Sequence, residues 1–525
     1  VGRATLLIFG GALLLLALPL RGAWLTGEVP GAGPDVISTL WGFWWFQARA
    51  GVAGGWTELV NYPNGAFGAV LSPSSAIGWS LAEPLLGAGR AMAWVASLQL
   101  AAFVAATAAL CQRLSGNAVA AALGAGTLLV SRYLLHGLGE GSLVAVTALP
   151  LPLGLLALME AQEGDRKAAL ALALLMPALA WENPYLGPVL PGLVALALLQ
   201  ALAGRSPGRG PLAAALFGGA LGVLAVGAHF SSAASPDYPS EVAATVMQIG
   251  PVSLPIIDLP WSRATPAGLV WPGPVRWTEA IDGARSEGGG RYLGLSVLLL
   301  AGLGLWRGGR EARPWGLLAA FCLLLSMGSV IGGLPGPFLF VNHALDLLAR
   351  PFTQPTRFLA VALVALAALA ALGARSLPPR LQAAAGTLLL AEALAVGGLS
   401  LRLPTLALPE APCLADLPDE EGGLVLFPGD VGEGDAGPAQ LLQLVHGRPA
   451  AHRGIASWRL HGARATDRLR QAGLDPRQTG ALDGAAIGRL GMRWLVVQGP
   501  VPARFSRLGP PTETCGDYTL FTLPR

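Results

Sequence analysis

The chain has 525 residues, of which 53% are hydrophobic and 12% charged, about half the charged share of an ordinary soluble protein. With a mean hydropathy of +0.56, these figures exclude a disordered chain and a soluble enzyme, and they make lipid the main solvent. The net charge of +3 comes from 34 basic and 31 acidic residues; the basic ones are dispersed along the chain, which excludes nucleic acid as a partner.

In chain order, about eleven apolar stretches approach the length that crosses a bilayer as a helix. They are Ala4–Leu20, Ala91–Cys111, Ala118–Val130, Ser142–Met159, Ala168–Ala180, Pro184–Ala203, Pro211–His229, Leu293–Trp306, Trp315–Ile331, Phe358–Leu372 and Leu381–Leu399. The first has Arg3 before it, as a signal peptide would, but Arg21, Gly22, Ala23 and Trp24 after it make a poor cleavage site. It is expected to stay as an anchor.

Between the first two stretches lies a loop, 21–90, that opens on Pro34 and Asp35 and continues with Trp41, Phe43, Trp44, Trp45 and Phe46. Aromatic residues of this kind favour the boundary between water and lipid, so a helix over Val36–Arg49 is expected to lie on the membrane face. Asp35 stands where a carboxylate caps the free N–H groups of a helix start. Asn61, Tyr62, Pro63, Asn64 and Gly65 carry turn chemistry, and a second surface helix is expected over Ser75–Leu86. A second long loop, 230–292, is rich in Pro, Gly, Trp and Ser and has no sustained period; it suits a lid or a cover equally.

The tail is hydrophilic and reads as a small α/β domain. Strands are expected over Gly423–Phe427, Trp494–Gln498 and Tyr518–Leu523, and helices over Ala439–Val445, Ser457–Ala472 and Gly484–Leu490. The expected organisation is thus an all-α polytopic membrane domain, 1–401, followed by an α/β domain, 402–525.

Orientation follows from the basic loops, because cytoplasmic loops retain Arg and Lys. With the amino terminus inside, the inner loops hold Arg3, Arg113, Arg166 with Lys167, Arg205 with Arg209, Arg307 with Arg310 and Arg313, and Arg375 with Arg380. An odd number of spans then puts both long loops and the tail outside the cytoplasmic membrane. Cys413 and Cys515 bracket that tail, and a pair so placed in an oxidising compartment is expected to form a disulfide. Cys111 and Cys322 lie in apolar stretches and read as small buried hydrophobes.

The sequence has no Gly-x4-Gly-Lys-Ser/Thr phosphate loop, no His-Glu-x-x-His, no Cys-x-x-Cys and no Gly-x-Ser-x-Gly, which argues against an ATP-driven pump, a zinc protease or a serine hydrolase. Gly137, Gly139 and Gly141 mimic a dinucleotide loop, but no strand precedes them. What stands out is a set of acids at outer span ends: Asp35, Glu140 and Glu182. Ionisable groups beside hydrocarbon are costly and mark function. On the basic side, His343, Arg350 and Arg357 gather before the tenth stretch, on the outer side, where an anionic ligand or a lipid headgroup would meet them.

This pattern resembles the GT-C superfamily of polytopic glycosyltransferases: many spans, a large first outer loop with an acid early in it, a second acid between the third and fourth spans, and a soluble outer domain. Asp35 matches the first acid and Glu140 the second. Asn61–Gly65, Arg291–Gly294, Arg350 and Pro351 with Pro355–Phe358, and Gly491–Val497 are similar in wording to uncharacterised bacterial relatives.

The resemblance implies transfer of a sugar from a polyprenyl-phosphate donor to a glycan, lipid or protein acceptor. Asp35 and Glu140 would then be catalytic, with Arg350, Arg357 and His343 on the donor phosphate. The first loop lacks a clear Asp-Asp or Asp-x-Asp pair, which leaves a divalent metal as an open cofactor. Two other classes stay open at this level: a transporter or flippase of lipid-linked glycans, which commonly shows internal repeats and broken spans, and a non-catalytic membrane subunit.

Overall fold

A computed structural model describes residues 2–32, 34–48, 51, 54–64, 66–69, 72–140, 143, 148–204, 206–233, 245–249, 252–256, 258, 262–273, 275–276, 287–288, 290–346, 354–418, 420–430, 437–452, 459–460 and 464–524. Each of the predicted apolar stretches overlaps a helix among the described residues, Ser142–Met159 from Pro150 onward. Five helical segments are long and apolar enough to cross a membrane: Ala88–Ser115, Ala118–Gly139, Arg209–Ala228, Pro355–Arg375 and Pro379–Ser400. Arg3–Leu16, Val189–Gly204 and Leu295–Arg307 are apolar but shorter, and Pro150–Gln162, Arg166–Glu182 and Gly309–Ser326 complete the set.

Local chemistry sets several helix starts. The Asn117 side chain accepts from the N–H groups of Val119 at 2.8 Å and Ala120 at 3.1 Å, and Asp165 accepts from Lys167 at 2.7 Å, each satisfying donors that a first turn leaves free. Packing then depends on small residues, which let helix backbones approach closely where lipid gives no hydrophobic drive between helices. The Ala-rich helix Leu359–Arg375 is buried along nearly its whole length. A Cβ on Gly304 would sit 1.9 Å from the Leu369 carbonyl oxygen, and one on Gly373 would sit 2.2 Å from that of Leu300. Leu7, Leu14, Leu174, Phe217, Leu299 and Leu317, by contrast, are exposed on the outer faces of their helices.

The basic loops meet at one end of the bundle. Arg113 pairs with Glu163 at 2.5 Å, and Arg375 pairs with Glu311 at 3.1 Å. Arg375 also reaches the Leu114 carbonyl at 3.2 Å, and Arg307 reaches that of Ser376 at 3.4 Å. Glu140 and Glu182 belong to the opposite ends of helices that these loops join.

In the tail, Gly423–Phe427 runs parallel to Met492–Gln498, which pairs antiparallel with Tyr518–Thr522, itself antiparallel to Glu513–Cys515. Cys413 and Cys515 are joined as a disulfide, with Cα atoms 5.9 Å apart. The helix expected over Ser457–Ala472 is only Ala465–Leu469, continued by an irregular turn. Ahead of it, Arg459–Leu460 joins the first-loop hairpin Gly54–Thr57 and Ala66–Ala69 as a third strand. Competing strand pairing thus takes residues that the periodicity alone assigns to a helix.

A second difference concerns the aromatic helix, Pro34–Ala48. Trp41 and Trp45 are 0% exposed and Phe43 is 1% exposed: they pack in the core with Leu441 and Leu444 of the tail helix Gly437–His446, not against lipid. Their large apolar area serves an internal interface. The second surface helix, Pro73–Leu86, keeps Ile77, Leu81 and Leu85 exposed.

Candidate functional site

The floor of the site is a break in the helical segment Ala118–Gly139. The helix ends at Ser131, whose extended backbone turns the chain before Tyr133–Gly139 resumes it. The Ser131 hydroxyl and the Arg132 N–H both donate to the Tyr292 carbonyl, at 3.1 and 2.9 Å. The buried Arg132 guanidinium donates to the carbonyls of Val396 and Gly273, both at 2.6 Å. This break therefore ties the second long loop to the outer end of the helix Pro379–Ala395.

Glu140 ends the short helix, its N–H donating to the His136 carbonyl at 2.9 Å. Its carboxylate lies 3.5 Å from His136 Nδ1, with 23% of the Glu140 side chain exposed. The first loop comes directly against this point: the Ala32 N–H donates to the Gly139 carbonyl at 2.9 Å. Gly31 makes the approach possible. Its φ of +107° is one that side chains rarely adopt, and a Cβ there would fall 2.9 Å from the Leu138 carbonyl oxygen. Three residues later Asp35 sits exposed in the first turn of the helix Pro34–Ala48. The two acids singled out from the sequence thus share one region, joined through backbone.

On the basic side, Arg357 lies in a 3₁₀ turn, Pro355–Phe358, and is 8% exposed. Its Nε donates to Gln354 Oε1 at 2.8 Å, its guanidinium lies 5.4 Å from the Tyr185 ring centre, and it is hydrogen-bonded to the Tyr133 hydroxyl. Such a cation is held in one orientation by stacking and hydrogen bonds together. Arg291 approaches the same Tyr133 and Glu140: burial pulls its pKa below the ordinary arginine range, and the Glu140 and Tyr133 charges oppose that shift. Gly290, just before it, lies so close to the His136 ring that a Cβ would meet Cδ2 at 2.0 Å.

Glu140, Arg291 and Arg357 are therefore grouped around Tyr133, and the start of the helix that carries Asp35 is joined to the same place through Ala32 and Gly139. His343 is exposed on the helix Pro337–Asp346, whose Phe338 packs edge-on against Phe358, 6.2 Å between ring centres. Arg350 lies outside the described residues. A lone histidine beside an apolar stretch, as His136 is, looks like core in the sequence, and Tyr133, Tyr185 and Arg291 carry no role there; the signal for Arg291 is its place, an arginine beside a predicted span on the side expected to be outer. Among the described residues no group of three or more His, Cys, Asp or Glu side chains is arranged to hold a metal ion; carboxylates such as those of Asp35 and Glu140 can transfer protons, and the Arg291 and Arg357 guanidiniums can bind an anion.

No family model and no curated protein sequence matches the chain. Solved structures do. The arabinofuranosyltransferase AftD from Mycobacteria, in a mutant form, superposes with a TM-score of 0.59 at 17% identity, over 99% of this chain and 42% of that one. The chain thus spans about two fifths of that neighbour's length. ArnT from Cupriavidus metallidurans in the apo state gives a TM-score of 0.50 at 12% identity, over 98% of this chain and 97% of that one. The same protein bound to undecaprenyl phosphate gives 0.49 at 13% identity, over 98% and 97%. The overlay runs over almost the full chain: its fold is the one found in the solved structures of AftD and ArnT, in keeping with the resemblance drawn from the sequence.

Proposed function

We propose that the protein is a membrane glycosyltransferase that moves a sugar from a polyprenyl-phosphate-linked donor to an acceptor hydroxyl on the outer face of the membrane. The observation that carries this reading is the bond from Ala32 N–H to the Gly139 carbonyl, which sets the start of the Asp35 helix against Glu140, beside the Arg291 and Arg357 guanidiniums that flank Tyr133.

In this reading Asp35, exposed at the helix start, takes the proton of the acceptor hydroxyl as its oxygen bonds to the anomeric carbon. The bond from that carbon to the phosphate oxygen breaks, and the lipid phosphate leaves with the electron pair. Arg357 and Arg291 neutralise the departing charge, and His343 and Arg350, on the segment leading to Arg357, extend the cationic set. Glu140 orients the acceptor. The span count of about eleven, the inner amino terminus and the outer tail belong to the same reading, since basic loops gather at the end away from the site.

The test compares surface glycans and glycolipids by mass spectrometry in cells with the protein, without it, and with Asp35→Asn. The reading expects a species lacking one sugar unit in both the deletion and the variant, with Asp35→Asn still inserted in the membrane. Identical glycan profiles contradict transfer, and reconstituted protein that moves intact donor across vesicles favours transport.

A further inference from the structure

We infer that Gln443, in the tail, is a positioning residue for the helix that carries Asp35. Every polar atom of its amide is used. Its Oε1 accepts from Trp41 Nε1 at 2.7 Å and lies 2.7 Å from His452 Nε2, while its Nε2 donates to the carbonyls of Leu59 at 2.6 Å and Arg448 at 2.8 Å. Gln443, Trp41 and His452 are each 0% exposed, and the Trp41 and His452 rings meet edge-on at 6.2 Å. One amide therefore binds three parts of the chain: the Asp35 helix, the first loop beyond it, and the tail.

The lock is repeated along the same seam. Asn61 N–H donates to the His452 carbonyl at 2.8 Å, and Ala465 N–H donates to Asn61 Oδ1 at 2.7 Å. Arg459–Leu460 pairs with Ala66–Phe67, and Val29–Pro30 pairs with Thr405–Leu406. Trp41 and Asp35 are six residues apart on one helix, about 9 Å along its axis at about 1.5 Å per residue, so fixing the indole fixes where the carboxylate stands. The buried indole is the rigid lever, and the amide is its anchor. The tail thus serves the site as a clamp on the first loop.

The inference rests on the reaction proposed above. Its test uses the full chain in proteoliposomes with a polyprenyl-phosphate-linked hexose as donor, comparing Gln443→Leu, Trp41→Phe, the double variant and Glu140→Gln. Misplacing a reacting group by about 1 Å costs up to about a hundredfold in rate. We therefore expect kcat to fall at least tenfold in each single lock variant, with KM for the donor unchanged, and the double variant to be no slower than the slower single. Should Gln443→Leu fail to assemble, Trp41→Phe, which keeps a smaller apolar ring and removes the donor, decides. Full kcat in the lock variants, or losses that multiply in the double, overturns the inference while a dead Glu140→Gln leaves the reaction standing. Turnover retained by Glu140→Gln counts against the proposed reaction instead.

Discussion

At the scale of single residues, scarcity of charge made part of the site legible. With 12% of residues charged, Asp35, Glu140 and Arg357 stand out at the ends of apolar stretches; in the structure Glu140 and Arg357 both neighbour Tyr133, and the start of the Asp35 helix is bonded to Gly139. Tyr133, Tyr185 and His136 were not legible, because an aromatic or a lone histidine in an apolar stretch looks like core until its neighbours are known. The setting of Arg357 makes a specific demand: a stack on Tyr185 and bonds to Gln354 and Tyr133 suit a planar guanidinium and not an ammonium. Arg357→Lys is expected to raise KM for a lipid-phosphate donor at least tenfold with a smaller effect on kcat, measured by steady-state kinetics; unchanged KM would remove Arg357 from donor binding.

Asp430 in the tail gives a second residue-level prediction. It is 6% exposed, its Oδ2 accepts from the Leu426 N–H at 2.7 Å, and its Oδ1 has no hydrogen-bond partner among the described residues. Burial pushes its pKa up to about 7, against the pull of the Leu426 N–H. Because the folded value lies above the unfolded one, of about 3.9, the folded state binds the proton more tightly. Its contribution is full below about pH 4 and is lost as pH rises through 7. Asp430→Asn keeps the acceptor and removes the buried charge, so its Tm should exceed the parent's at pH 8, by less at pH 5, and match it at about pH 4 and below. A Tm difference that does not vary with pH would contradict the assignment.

At the scale of elements, the sequence indicated where the apolar helices lie, because length and hydropathy are local properties, but not their ends: Gly309–Ser326 starts six residues before the expected Trp315 and stops five before Ile331. It misjudged the helix Pro34–Ala48 and the segment around Arg459 for the same reason. Whether Trp41 faces lipid or protein, and whether Arg459 pairs as a strand, depends on a partner some 400 residues distant. Close approach between elements is equally invisible in the sequence. Gly290 against His136 is one such point: Gly290→Ala forces the ring away, an overpacking that costs about 1–3 kcal/mol. A lowered Tm together with lost transfer is expected from scanning calorimetry and a turnover assay. An unchanged Tm would show that the His136 ring yields without cost.

At the scale of the whole molecule, two features organise the account. Basic loops close one end of the bundle through Arg113, Arg307 and Arg375, and the acids, Arg291 and Arg357 stand at the other. The tail is bound to that second end through Gln443, the Arg459–Leu460 strand and the pairing of Val29–Pro30 with Thr405–Leu406. The sequence made the tail's α/β character legible but not its attachment, since its contacts to the first loop pair residues whose types carry no complementary pattern. The most direct test of the central claim is release of polyprenyl phosphate from a lipid-linked sugar by the purified protein in proteoliposomes, with Asp35→Asn and Glu140→Gln alongside. The account predicts sugar transfer and phosphate release by the parent, and losses of at least about a hundredfold in Asp35→Asn, in the range removal of a general base produces, and of up to about a hundredfold in Glu140→Gln, from a misplaced acceptor. Equal release by parent and variants would contradict it.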